Sequence, residues 1–148
     1  MTAEAPVEVR VTHRFSTSPE RVFDAWLDPE KATKFLFATP DGEMVRVEID
    51  PRVGGRYSIV ERRDGQDVEH TGEYLEIDRP RRLVFTCQVP FYSDQVDRVT
   101  IEIEPVDGGC ELTITTQTTR EWADQTADGW KMILETLERC EFLTQVSS

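Results

Sequence analysis

The chain has too few cysteines and histidines for a domain stabilised by disulfide bonds or by a structural metal ion. Its 148 residues include three cysteines, Cys87, Cys110 and Cys140, which stand singly and in odd number. They form no disulfide framework and, together with His13 and His70, give no zinc-ligand spacing. We therefore expect reduced thiols, no metal and no cofactor.

Long hydrophobic runs are also missing. No apolar segment approaches the ~20 residues that cross a bilayer. The N-terminal segment MTAEAPVEVRV has neither the basic start nor the apolar centre of a secretory signal. These absences predict a cytoplasmic protein without a membrane span.

Positive charge is scarce. Seventeen lysines and arginines face 29 aspartates and glutamates, which gives a net charge of −12. A field of this sign repels phosphate backbones and anionic lipid, and the densest basic run, RPRR at 79–82, is typical of a tight turn. We therefore do not expect nucleic acid to be a partner of this protein.

What the chain does have is strict apolar–polar alternation, which predicts seven antiparallel strands. The first is VEVRVTHRF at 7–15, and six further runs follow from residue 43 to residue 118. Short turns such as Asp64-Gly65 separate several of these runs and predict hairpins. Between the first strand and the rest lie two short helices, the first with Ser18 as its N-cap and Pro19 at its first position, the second within PEKATKFLF at 29–37.

The end of the chain changes to a helical period. Thr118 and Glu121 have the spacing of a capping box. Apolar positions then recur every three or four residues, at Trp122, Thr126, Trp130, Ile133, Leu134 and Leu137. Beyond them, Glu141 and Cys140 are expected to mark the helix end and its packed edge.

The order β-α-α-β-β-β-β-β-β-α predicts an α+β fold in which a curved antiparallel sheet wraps around a long C-terminal helix. We expect one domain over 1–148, with residues 1–6 flexible and residues 144–148 frayed. Gly54-Gly55 is predicted to supply a bulge or a sharp bend that lets the third strand turn over the helix, the alternative being a plain turn. Gly72, within the fourth strand, is a second candidate for such a bend.

Several motifs together resemble a known family. HRFSTSPERVFDAWLDPEKATKF, EIDPRVGGRYSI, TGEYLEIDRPRRLVFT, RVTIEIEPVDGGCELTIT and DGWKMILETLERC occur in its order and cover residues 9–143. The chain is similar to the START-like (SRPBCC) superfamily, in the branch homologous to the C-terminal domain of the activator of heat-shock-protein-90 ATPase. The resemblance implies the helix-grip fold. Members often carry tryptophan where this chain has Phe35 and Cys87, so two rings are replaced by smaller groups.

A curved sheet over a helix predicts an internal cavity that could hold a small molecule. The alternation and the helical stripe identify its expected lining, although aromatic residues in such a pattern are more often plain core than part of a ligand site. The predicted lining is His13, Phe35, Phe37, Tyr57, Ile59, Glu61, Phe85, Cys87, Ile101, Leu112, Ile114, Trp130, Ile133, Leu134 and Leu137.

Glu61 and His13 are the two weak catalytic candidates. Glu61 is in phase with Tyr57 and Ile59, so it faces the interior unless the strand ends there, and a buried carboxylate can orient a ligand or act as a base. His13 lies on the apolar face of the first strand, where a structural role and a proton-transfer role are both open. His70 has an ambiguous facing and is expected to be structural or solvated. A nucleophile would require Cys87 to meet His13.

Three functions follow, in this order of preference. The first is binding of a small apolar or amphipathic ligand in the cavity. The second is a protein-interaction, cochaperone-like or stress-response role, with a chaperone as the partner. The third is a cyclase- or hydrolase-type enzyme using Glu61 and His13, although no catalytic motif is evident. Pairing of edge strands between two copies leaves a homodimer open.

Overall fold

The computed structural model describes residues 7–35, 42–90 and 96–139. The predictions for Phe37, Cys140, Glu141 and the two termini lie outside these residues. The elements are β1 (Val7–Phe15), α1 (Pro19–Leu27), α2 (Pro29–Phe35), β2 (Glu43–Ile49), β3 (Arg56–Arg63), β4 (Gln66–Asp78), β5 (Arg82–Gln88), β6 (Val96–Val106), β7 (Gly109–Thr118), a 3₁₀ turn (Arg120–Trp122) and α3 (Ala123–Leu137). The predicted α+β order is confirmed.

The seven strands form one curved antiparallel sheet in the order β1-β7-β6-β5-β4-β3-β2. Side chains alternate across it, and one face carries the core, for example Val11, Ile101 and Ile114. The buried residues of α3 belong to the same core: Trp130, Ile133, Leu134 and Leu137. The sheet therefore grips α3, as the helix-grip fold requires. No helix in the described parts of the chain is long and apolar enough to cross a membrane.

Two local signals in the sequence have the predicted structure. The hydroxyl of Ser18 accepts a hydrogen bond from the backbone N–H of Arg21 at 3.3 Å, and Pro19 begins α1. Asp64 and Gly65 both have positive φ, 52° and 79°, and form the two-residue turn between β3 and β4. This turn geometry matches the twist of a hairpin, so it fixes the register of the two strands.

The predicted bulge at Gly54-Gly55 is wrong. Both glycines lie in the β2–β3 connection, before β3 begins, and Gly54 has a φ of 86° that favours glycine. Its N–H donates to the carbonyl of Tyr74 at 2.9 Å, which anchors the connection to β4. The register shifts lie elsewhere, at Met44/Arg46 in β2 and Tyr74/Glu76 in β4.

The predicted capping box is also wrong. Thr118 is still part of β7, and the chain enters the helix through the 3₁₀ turn Arg120–Trp122. The N-cap of that turn is Thr119, whose side chain makes no capping bond. The spacing of Thr118 and Glu121 matched the motif, but the β1–β7 ladder extends to Val7 and Thr118 and holds the threonine in the strand.

Gly72 provides a close approach of side chain and backbone in the middle of the sheet. Its partner on β3 is Tyr57, whose ring lies against Gly72 and whose hydroxyl donates to the carbonyl of Thr86 on β5 at 2.8 Å. A methyl group at position 72 would overlap that carbonyl and press on the ring. The absent side chain lets Tyr57 reach across β4, a known use of glycine in sheets.

Gly72→Ala is therefore expected to lower the free energy of unfolding by about 2 kcal/mol, because both the Thr86 carbonyl and the Tyr57 ring must shift. Urea denaturation measures the change. Tyr57→Phe is the comparison, because it removes the hydroxyl group and keeps the ring, and we expect it to lower the free energy of unfolding by about 1 kcal/mol. A Gly72→Ala midpoint equal to that of the wild type would contradict the packing described here.

Candidate functional site

A cavity of about 280 Å³ lies between α3 and the concave face of β3 to β7. This volume is near the lower end of the ~300–1,000 Å³ range of small-molecule sites. Its walls combine charged, polar and apolar groups from both layers. They are Arg63, His70, Cys87, Asp97, Val99, Thr116, Gln125, Thr126, Gly129, Trp130, Met132 and Ile133.

A buried ion pair lies beside the cavity on β3. Glu61 is 1% exposed, as the strand phase predicted, and its carboxylate accepts a hydrogen bond of 2.5 Å from Nε of Arg63. Gly42 lies directly against this carboxylate, because a methyl group there would overlap it. The Arg63 side chain is 25% exposed and lines the cavity. A charge that is buried needs such a partner.

His70 occupies the next strand with its side chain in the cavity wall. The residue is buried, which settles the facing that the sequence left open. Burial, helped by the nearby Arg63 charge and opposed by Glu61, lowers the pKa of His70 to about 4. The imidazole is therefore neutral at pH 7, with one ring nitrogen able to donate and the other to accept a hydrogen bond.

Cys87 and the α3 side chains form the less polar part of the wall. Burial raises the pKa of Cys87 to about 11, so the thiol is protonated at neutral pH and a poor nucleophile. Burial also raises the pKa of Tyr57 well above its usual value. Trp130 and Ile133 are buried on α3 and face Val99 of the sheet across the same space.

Three of the predicted lining residues, Cys87, Trp130 and Ile133, line this cavity. Tyr57 and Phe85 border a separate void of only about 10 Å³, which is too small for a ligand. Their rings are therefore part of the packed core. Apart from His13 and Glu61, the remaining described members lie in the packed core: Phe35, Ile59, Ile101, Leu112, Ile114, Leu134 and Leu137. Their side chains stabilise the fold on either side of the cavity.

The predicted acid–base pair is not assembled. His13 lies on β1, where its Nε2 is 2.8 Å from Oε1 of Glu138 at the end of α3. Glu61 lies on β3, and four strands separate the two in the sheet order. The same order places β7 and β6 between His13 and Cys87, so the contact that a thiol–imidazole nucleophile would require gets no support.

The sequence interpretation missed Arg63, His70, Asp97 and Thr116 as members of one site. Each has the phase of a core residue: Arg63 follows Glu61 by two positions, and His70 lies two positions from Val68. Counting the phase through these polar residues would have placed them on the concave face. Among the described residues, no group of three or more His, Cys, Asp or Glu side chains could hold a metal ion.

Comparison with known protein families shows which family the chain belongs to. Residues 16–140 match the family described as Activator of Hsp90 ATPase homolog 1-like protein. The chain belongs to this family. No curated protein matches the chain closely enough to be counted as a relative.

Solved structures share the fold of this family member. Protein CV1439 from Chromobacterium violaceum is 28% identical, with a TM-score of 0.78 and coverage of 89% of this chain and 94% of that one. The AHSA1-like protein from Aeromonas hydrophila is 22% identical, with a TM-score of 0.78 and 90% coverage of each chain. SA2116 from Staphylococcus aureus, a protein of unknown function, is 19% identical, with a TM-score of 0.82 and coverage of 92% and 93%.

The two positions at which the resemblance implies tryptophan in other members, Phe35 and Cys87, have different surroundings in this chain. Phe35 is fully buried and packs edge-to-face on Trp26, with ring centroids 5.2 Å apart. Cys87 lines the cavity. The small side chain at position 87 therefore affects the volume of the cavity, whereas the side chain at position 35 affects only the packing of the core.

Proposed function

We propose that this member of the Hsp90-activator-like family binds a small, uncharged amphipathic molecule in the cavity between α3 and the sheet. The observation that carries the proposal is the composition of the wall. Trp130, Ile133 and Val99 offer an apolar surface, while His70 and Thr116 offer hydrogen-bonding groups in the same space. Binding sites for small molecules combine a mostly apolar lining with a few polar groups in this way.

The charges around the cavity disfavour an anionic ligand. The positive charge of Arg63 is balanced by Glu61, and the buried His70 is neutral at pH 7. Asp97 adds a carboxylate to the wall, and the protein as a whole carries a net charge of −12. An anion would enter this field at a cost in binding free energy.

The polar groups favour a hydroxyl or amide on the ligand. The neutral imidazole of His70 has one donor and one acceptor nitrogen, so it can form a hydrogen bond with a ligand hydroxyl. The hydroxyl of Thr116 donates to the carbonyl of Arg98 at 3.0 Å, so its remaining capacity is that of an acceptor. A ligand hydroxyl, which both donates and accepts, suits these partners better than a carboxylate, which only accepts.

A matched pair of probes tests the proposal. We expect 3-phenylpropan-1-ol at about 100 times its Kd to raise Tm by about 5–10 °C. The corresponding carboxylate, 3-phenylpropanoate, is expected to give a much smaller shift at the same concentration. Differential scanning fluorimetry measures both, with Ile133→Phe as a variant whose larger side chain reduces the cavity.

Equal shifts from the alcohol and the carboxylate would contradict the charge argument. An alcohol shift that survives in Ile133→Phe would place binding outside the cavity. Mass spectrometry of an organic extract of the purified protein then identifies any molecule that it retains from the cell.

The family match supports a protein-interaction role as the second candidate. The family description names activation of the Hsp90 ATPase. A pull-down with purified Hsp90 distinguishes this candidate from ligand binding, since retention of the chain would support it and loss under mild washing would count against it. The arrangement of His13 and Glu61 gives the enzymatic alternative no support.

A further inference from the structure

Gly129 occupies an unfavourable position for a glycine. It lies well inside α3, six residues after the start at Ala123 and eight before the end at Leu137. Glycine in a helix interior is destabilising relative to alanine, because it restricts the unfolded chain less and packs nothing. A glycine in such a position calls for a reason outside the helix itself.

The two usual reasons do not apply. Gly129 is absent from the glycines with positive φ, which are Gly54, Gly65 and Gly108. Apart from the backbone of its own helix and its two chain neighbours, a methyl group at position 129 would meet no heavy atom of the described residues within 4 Å, whereas at Gly72 it would overlap a carbonyl. Neither backbone conformation nor close packing therefore excludes a side chain at position 129.

The open space beside Gly129 is the cavity. Gly129 lines it, flanked about one turn away on either side by Gln125 and Met132, both exposed. The neighbouring lining residues on the same helix, Trp130 and Ile133, are buried. Gly129 thus lies on the helix edge where the lining passes from solvent to interior, which is the position of a mouth.

We propose that Gly129 is the aperture residue of the cavity: its missing side chain keeps the mouth open along α3 and sets the width of the molecules that pass. This inference rests on the proposed function for the purpose of the opening, although the opening itself can be measured without any ligand. A side chain at position 129 stabilises the helix and narrows the mouth. Stability and access therefore change in opposite directions.

The rate at which Cys87 is modified measures how easily a reagent enters the cavity, because Cys87 lines the same cavity. The experiment compares its modification by methyl and benzyl methanethiosulfonate at one pH, with peptide mapping to separate Cys87 from Cys110 and Cys140. The ratio of the benzyl rate to the methyl rate is the measured quantity. It cancels the small thiolate fraction that follows from the raised pKa of Cys87.

The variants are Gly129→Leu and Gly129→Ala, with Lys131→Leu as the matched control on the exposed side of α3. We expect Gly129→Ala to raise Tm by about 2–4 °C through helix propensity. Gly129→Leu is expected to lower the benzyl-to-methyl ratio about tenfold and to slow the association of the neutral probe N-phenyl-1-naphthylamine by a similar factor, as measured by stopped-flow fluorescence. Lys131→Leu is expected to change neither.

An unchanged rate ratio in folded Gly129→Leu would overturn the aperture. If Gly129→Leu does not fold, Gly129→Ala provides the test instead. An unchanged benzyl-to-methyl rate ratio in Gly129→Ala would then overturn the proposal that Gly129 is the aperture residue. If the wild type fails to bind N-phenyl-1-naphthylamine but the ratio falls in the variants, the aperture stands and the proposed binding of uncharged amphipathic molecules loses support.

Discussion

Arg63→Met is expected to lower the free energy of unfolding by about 3–4 kcal/mol. The substitution removes the guanidinium that holds the carboxylate of Glu61, which is 1% exposed, while it keeps most of the apolar stem of the arginine. Breaking a buried ion pair from one side costs this much because the remaining charge stays in a poorly solvated place. Equilibrium denaturation with urea measures the loss.

Two further variants separate charge from packing. Glu61→Leu combined with Arg63→Met is expected to recover most of the lost stability, because an apolar pair of similar volume leaves no charge behind. Arg62→Met is the neighbouring control. It breaks an ion pair with Asp67 whose side chains are about half exposed, and we expect almost no effect. A double variant no more stable than Arg63→Met would contradict the electrostatic explanation.

Acidification from pH 6.5 to pH 4 is expected to remove about 3 kcal/mol of stability through His70 alone. The pKa of His70 falls from 6.5 to about 4 on folding, because burial opposes the charged imidazolium. In this pH window the unfolded chain binds a proton that the folded chain does not, so stability falls as the pH falls. At about 1.36 kcal/mol for each pKa unit, the fall from 6.5 to about 4 corresponds to the expected loss.

The charged groups near His70 set the size of this effect. Arg63 on β3 adds to the lowering, and Glu61 on the same strand opposes it. Other groups also titrate in this window, so the measured quantity is the difference between the wild type and His70→Gln. We expect the wild type to lose about 3 kcal/mol more than the variant between pH 6.5 and pH 4. Parallel curves for the two proteins would show that His70 does not carry the effect.

The strands were predictable because each one obeys a local rule. Alternation places Val9, Val11 and Phe15 on one side of β1, and the Asp64-Gly65 turn fixes the register of β3 against β4. The amphipathic stripe of α3 must then cover the apolar face. These features depend on neighbours within about ten residues, so they can be recognised in a single sequence.

The position of the cavity was not predictable in the same way. Alternation says which face Glu61 and Arg63 occupy, but not how far along the strand α3 covers that face. That boundary depends on the path of the helix over the sheet and on side-chain volumes contributed by five strands. The predicted lining therefore included residues of the packed core, such as Ile101 and Ile114, and left out polar residues such as Arg63 and Thr116.

Methyl NMR on isoleucine-labelled protein tests the central claim most directly. Ile133 lines the cavity, whereas Ile103 lies in the core near the other end of the sheet, opposite Leu112. On titration with 3-phenylpropan-1-ol we expect the Ile133 methyl signal to shift in a saturable manner while the Ile103 signal stays in place. An unmoved Ile133 signal, or a shift of equal size at Ile103, would contradict a binding site between α3 and the sheet.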